Sequence, residues 1–206
     1  MAGRLITIEG LDGTGKSTLA DGLAEALAGR GVEAEVMREP GGVEAAERLR
    51  DLVKDPSLEV DPRAEALIYA AARAQLVAER LLPLLGEGRW VILDRFVDSS
   101  LAYQGAGRGL GIENVAAINE MATQGIVPDR TLYLHLDPGE RAGRLDGRGE
   151  EADRLEASGE AFFAAVDAGY RQLAAAEPAR IIPLDAGLAP DELVKASMAA
   201  LSDLLP

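Results

Sequence analysis

Near the N-terminus, "LITIEGLDGTGKSTLADGLAEAL" (Leu5–Leu27) carries the pattern G-x-x-x-x-G-K-[ST] from Gly10 to Ser17. Glycines in that order let backbone N–H groups turn inward and approach phosphate oxygens that side chains would obstruct. Lys16 then brings a point charge to β- and γ-phosphates, Ser17 a hydroxyl for Mg²⁺, and the following helix the positive end of its dipole. The candidate ATP-binding loop is Gly10, Leu11, Asp12, Gly13, Thr14, Gly15, Lys16, Ser17 and Thr18. Such a loop serves switches and motors as well as enzymes. A guanine-nucleotide switch also carries N-K-x-D after a later strand, and that tetrapeptide does not occur in the chain.

A second group suited to a second phosphate lies in "WVILDRFVDSSLAYQGAGRG", Trp90 to Gly109. Asp94 and Arg95 fall at the carboxyl end of an apolar run, where a guanidinium can fork onto a phosphate. Taken alone, the dipeptide has a second reading as a structural ion pair, the less favoured of the two.

Five short apolar runs have strand character: Leu5–Glu9, Val32–Met37, Trp90–Leu93, Thr131–Leu136 and Arg180–Leu184. Helical pattern separates each from the next. Leu19, Leu23 and Leu27 give the first helix one apolar stripe, which the Gly29–Gly31 segment ends. Further helices are predicted over Val43–Lys54, Pro62–Leu85, Ile112–Thr123, Glu160–Ala176 and Pro190–Leu204, all alanine-rich. Strict alternation predicts a parallel sheet with helices on both faces and a ligand crevice beyond the carboxyl ends of the strands. Gly10, Glu39 and Asp94 all follow strands, at that end. The "GAGRGLG" segment, Gly105–Gly111, is too glycine-rich to assign to an element.

With 206 residues and 48% hydrophobic content, one domain over 1–206 is expected. No run is long enough for a membrane span and no export signal opens the chain, so a cytoplasmic protein is expected. The absence of cysteine and the single histidine exclude disulfides, thiolate chemistry and Cys/His metal sites. Any metal must be a hard ion on oxygen ligands, with Mg²⁺ arriving on phosphates the natural case. A net charge of −14 argues against nucleic-acid and anionic-membrane partners. Local basic clusters, Arg141, Arg144 and Arg148 in one and Arg95 and Arg108 in the other, stand out for that reason.

In order and spacing, "IEGLDGTGKST", "REPGG" (Arg38–Gly42), "ALIYAAARAQL" (Ala66–Leu76), "LDRFVDSSLAYQGAGRG" and "GRGEEADRLE" (Gly147–Glu156) resemble bacterial thymidylate kinases over nearly the whole chain. The resemblance implies a P-loop NTPase fold of the nucleoside-monophosphate-kinase type, a lid over about 138–158, and a homodimer packed through helices. It implies transfer of the γ-phosphoryl of ATP to dTMP with Mg²⁺. By the same resemblance Arg95 grips the dTMP phosphate, Asp94 organises metal and phosphates, and Glu9 bears on the metal or the acceptor sugar. Ser17, Glu9 and Asp94 are the implied metal-site residues. Glu39 and Pro40 line the acceptor pocket, Arg38 lies near the phosphates, and Glu39–Pro40 is a candidate cis peptide.

Tyr69 stands where the family usually has phenylalanine, keeping a stacking plate and adding a hydroxyl. One helical turn later, Arg73 reaches the carbonyl edge of the base. The resemblance further implies that Ser100 and Gln104 address the imide edge and that Tyr103 sits against the sugar. Ala186 and Gly187, after the last strand, are placed at the adenine.

Some family members put an arginine inside the phosphate loop, where this chain has Asp12-Gly13-Thr14. The cation that offsets transition-state charge is therefore sought in "ERAGRLDGRGEEADRLE", with Arg148 first and Arg144 next. Two other readings stay open: a kinase for a different small acceptor, and a nucleotide-binding regulator without turnover.

Overall fold

A computed structural model describes residues 3–137, 139, 143, 154–155 and 158–206. The strands β1 (Arg4–Gly10), β2 (Ala34–Arg38), β3 (Trp90–Asp94), β4 (Arg130–His135) and β5 (Ile181–Asp185) form one sheet. Its order is β2-β3-β1-β4-β5, and every pairing is parallel. Each expected strand exists, with ends shifted by one or two residues.

Between them lie α1 (Lys16–Ala28), α2 (Glu44–Lys54), α3 (Pro62–Leu76), α4 (Leu82–Gly86), α5 (Val97–Ser100), α6 (Ile112–Thr123), α7 (Glu160–Ala176) and α8 (Pro190–Ala200). α3 opens on Asp61, whose carboxylate accepts from the Arg63 N–H, with Pro62 in the first turn where it loses no helical bond. A π-helical turn, Val77–Leu81, joins α3 to α4, so the helix expected over Pro62–Leu85 carries one extra residue in its winding.

Side-chain alternation on β1 assigns its two faces. Ile6 and Ile8 pack with Leu19, Leu23 and Leu27 of α1 and with Leu193 of α8. Leu5 joins the opposite cluster with Leu76, Leu81, Val91 and Phe96. Period-two geometry then sends Thr7 and Glu9 to the side of Leu5. There Thr7 shares a buried 2.7 Å hydrogen bond with Thr131. A third cluster, built on Tyr103, Tyr133, Phe162, Val166 and Tyr170, packs α7 beside the helical segment after β3.

That segment was not evident as a helix in the sequence. α5 runs on into a π-helical stretch, Leu101–Gly107, and its inward face includes Ser99, Ser100 and Gln104. An apolar stripe is the usual signal of a buried helix face, and here polar residues occupy it because the face borders a site.

Candidate active site

The loop after β1 curls around its own lysine. Gly13 and Gly15 have φ of 86° and 87°, a left-handed conformation costly for residues with a Cβ. A Cβ on Gly10 would collide with the Leu134 carbonyl oxygen, which explains that glycine separately. Thr14 Oγ1 donates to the Leu11 carbonyl at 2.8 Å, and Lys16 Nζ donates to the same oxygen at 3.0 Å. Asp12 Oδ1 is 3.7 Å from Lys16 Nζ. Burial, and then the nearby Arg95 charge, lowers the Lys16 pKa to about 8. α1 begins at Lys16, so its unpaired first-turn N–H groups, those of Ser17 and Thr18 included, face the loop's concavity.

Ser17 Oγ donates to Asp94 Oδ2 at 2.8 Å, tying the first turn of α1 to the end of β3. Among the described residues no group of three or more Asp, Glu, His or Cys could cage a metal. Two oxygen-bearing side chains beside a phosphate loop fit a hard cation that takes its other ligands from phosphate and water.

Beside the loop is an open, solvent-facing cavity. Eight of the ten residues expected at the acceptor line it: Glu39, Pro40, Tyr69, Arg73, Arg95, Ser100, Tyr103 and Gln104. Four elements deliver them, because β2, β3 and their following segments all end at the same edge of the sheet while α3 crosses above. The Glu39–Pro40 bond is cis.

Arg95 has φ 71°, outside the region a non-glycine residue prefers, and its N–H donates to the Ile8 carbonyl at 3.0 Å. Its guanidinium reaches Asp12 Oδ1 at 2.7 Å, Ser99 Oγ at 3.0 Å and Tyr103 Oη at 3.3 Å, and lies over the Tyr103 ring. The backbone turn thus aims a cation between the phosphate loop and the acceptor cavity.

Two of the ten, Glu9 and Arg38, are absent from the cavity wall. Glu9 is fully buried. Its Oε1 accepts from the Phe96 and Ser99 N–H groups, at 2.7 and 3.2 Å. Its Oε2 accepts from Ser99 Oγ and Tyr170 Oη, at 2.5 and 2.9 Å. Burial and the Asp98 carboxylate raise its pKa to about 7. These partners make Glu9 the brace of the turn that carries Arg95 and leave it no oxygen free for a metal. Arg38 turns outward to Glu47, at 2.9 Å, because the "PGG" turn folds Glu47 against the Gly42 N–H.

Arg73 reaches the cavity wall, yet its guanidinium is enclosed by Glu39, Ser100, Asn119 and the Phe96 carbonyl. Burial nevertheless raises the Glu39 pKa to about 7, outweighing Arg73, and Glu39 Oε1 has no hydrogen-bond partner.

The cavity also has residues that sequence reasoning passed over. Arg50 and Lys54 of α2 bring positive charge from the far side, and Leu155 closes an edge. The i, i+4 spacing of Arg50 and Lys54 on a helix whose Ala46 and Val53 are buried was the available signal. Ala186 and Gly187 lie after β5, with Ala186 N–H on the His135 carbonyl and Gly187 N–H on Asp185. Arg141, Arg144 and Arg148, with most of the expected lid, lie outside the described residues.

A phosphate loop after the central strand of a five-stranded parallel sheet, with an arginine just past β3 beside it, defines the P-loop fold of nucleoside monophosphate kinases. The sequence model of the thymidylate kinase family matches residues 8–197. The chain is 46% identical to the thymidylate kinase of Thermoanaerobacter sp. (strain X514) over 185 residues, 90% of either protein. It is 45% identical to that of Rhizorhabdus wittichii over 208 residues, covering the full length of both. With the thymidylate kinase of Lactobacillus delbrueckii subsp. bulgaricus the identity is 44%, over 100% of this chain and 99% of the relative. This chain belongs to the thymidylate kinase family.

Proposed function

We propose that the protein transfers the γ-phosphoryl group of ATP to dTMP, giving dTDP and ADP. The observation that carries this reading is the 2.7 Å contact between Arg95 and Asp12, which makes the donor loop and the acceptor cavity adjoining compartments. In-line transfer requires that adjacency, since the protein's task is to align two phosphates and offset charge.

Lys16 and the α1 N-terminus hold the β- and γ-phosphates, while Arg95 exchanges Asp12 for the acceptor phosphate. Ser17 and Asp94 would hold Mg²⁺, which when bound spreads positive charge over the β- and γ-phosphates. Tyr69 provides the plate on which thymine stacks, with Arg73, Ser100 and Gln104 at its polar edges and Tyr103 against the sugar. Arg148, assisted by Arg144, supplies the remaining cation from the lid, because the Asp12-Gly13-Thr14 stretch has none. Ala186 and Gly187 border the adenine.

The protein works in the cytoplasm as a homodimer, a reading supported by the exposed apolar Leu67 of α3 and Met121 of α6, two helices in mutual contact. Among the described residues no helix is long and apolar enough to cross a membrane. ADP release measured with ATP, Mg²⁺ and each monophosphate in turn tests the activity. Fastest turnover is expected with dTMP, and faster turnover of dUMP, CMP or AMP would overturn the assignment. Replacing Arg95 with Ala should raise the dTMP KM and lower kcat together; normal values of both would remove it from the site.

A further inference from the structure

We propose that Glu65 is a positioning residue that sets base specificity, by turning the Gln104 carboxamide so that its oxygen faces the acceptor cavity. The inference rests on the proposed dTMP reading, and on Gln104 as a contact to the base.

Glu65 lies in the first turn of α3, four residues before Tyr69, and is fully buried. Its Oε1 accepts from Gln104 Nε2 at 2.9 Å and from Arg108 Nε at 3.2 Å. Its Oε2 accepts from Arg108 Nη2 at 3.1 Å and from Arg154 Nη2 at 2.6 Å. Both arginines are themselves held: Arg108 lies over the Phe162 ring, and Arg154 Nε donates to the Val53 carbonyl at 2.9 Å.

Glu65 faces two guanidinium groups, and a carboxylate so placed acts as an acceptor. The arm of Gln104 that meets it must then be the NH₂. Gln104 is buried against the cavity wall; Glu65 takes one hydrogen of its NH₂, and the end of the amide turned away from Glu65 is Oε1, an acceptor. Thymine and uracil present an N3–H between two carbonyls, which such an acceptor matches. Cytosine presents a lone pair at N3, which the same acceptor repels. A buried group left facing a like partner loses its hydrogen bond and keeps its desolvation cost, a strong source of discrimination. Glu65 touches no substrate in this scheme and acts through Gln104.

The test compares kcat/KM for dTMP and dCMP in the wild type, Glu65→Gln and Arg108→Met, with thermal unfolding as a folding control. Glu65→Gln lets the Gln104 amide adopt either orientation, and should lower the dTMP-to-dCMP ratio by about tenfold or more with the ATP KM unchanged. Arg108→Met removes an ion pair while sparing the Glu65–Gln104 bond, and should lower the unfolding temperature but keep the ratio within about twofold. An unchanged ratio in Glu65→Gln, or an equal loss in Arg108→Met, overturns the inference while leaving dTMP phosphorylation standing. A wild type that prefers dCMP, or that turns over neither, overturns the dTMP reading and this inference with it. Should Glu65→Gln fail to fold, wild-type binding of dTMP and its N3-methyl analogue decides. Weaker binding of the analogue by about tenfold or more is expected, and affinities within about threefold overturn the proposal.

Discussion

Tyr170 of α7 places its hydroxyl 2.9 Å from Glu9 Oε2 at the end of β1, while Arg95 Nη1 lies 3.4 Å from the same hydroxyl. Ser99 Oγ repeats the arrangement, taking a bond from Arg95 and giving one to Glu9. Two hydroxyls thus stand between a cation and a buried carboxylate. Tyr170→Phe removes one donor and leaves Glu9 a partner short, at a cost of about 1–3 kcal/mol in urea unfolding. Arg95 also loses a contact, so the dTMP KM should rise with the ATP KM unaffected. Equal changes in both KM values would point to general loosening instead.

Glu39 links stability to pH. The unfolded side chain ionises near 4.5, whereas the folded one keeps its proton to about 7. Between those values the folded state binds more protons, so this group's contribution is full below pH 4.5 and is lost as pH rises through 7. Glu39→Gln cannot ionise and escapes the loss. Its stability relative to wild type should therefore climb between pH 5 and pH 8, by at most about 3 kcal/mol, in denaturant unfolding at the two pH values. A pH-independent difference would show that Arg73 keeps Glu39 ionised throughout.

If Lys16 holds the phosphates as proposed, it should set an alkaline limit on nucleotide capture. Its lowered pKa of about 8 means that the free enzyme loses this charge one to three pH units before an exposed lysine would. With dTMP saturating, kcat/KM for ATP should bend downward near pH 8, towards about tenfold per pH unit. At saturating ATP the bound phosphates hold the proton, and kcat should bend only at higher pH. A kcat/KM profile flat to about pH 9.5 contradicts the assignment.

Arg148 is placed by sequence alone. Its replacement by Ala should lower kcat by a factor of about 10² or more while dTMP affinity stays largely intact, because the proposed role calls for its charge only as the phosphoryl group transfers. Arg144→Ala should cost less. Steady-state kinetics with an unchanged kcat for Arg148→Ala would strike it from the catalytic set.

The phosphate loop was legible because everything it needs lies within one short window: a strand, glycines with positive φ, and a helix whose Leu19, Leu23 and Leu27 all point into the core. The five strands were legible for the same reason, each being a local apolar run. α5 with its π-helical extension was not, since Ser99, Ser100 and Gln104 put polar atoms on the buried face. Arg38 looked close to the phosphates by its place in "REPGG", and only the turn that carries Glu47 to it sent it outward.

By itself the sequence determined which segments become strands and helices, that a glycine-rich turn joins β1 to α1, and that an arginine follows β3, all consequences of short-range periodicity and backbone sterics. The tertiary structure decided the partners of the buried charges. Glu9 meets Tyr170 across 161 positions, and Glu65 meets Gln104, Arg108 and Arg154 across 39 to 89. A buried carboxylate must find donors, but any of several arginines or hydroxyls would satisfy it. Which one does depends on how the helices cross above the sheet, and no local pattern records that.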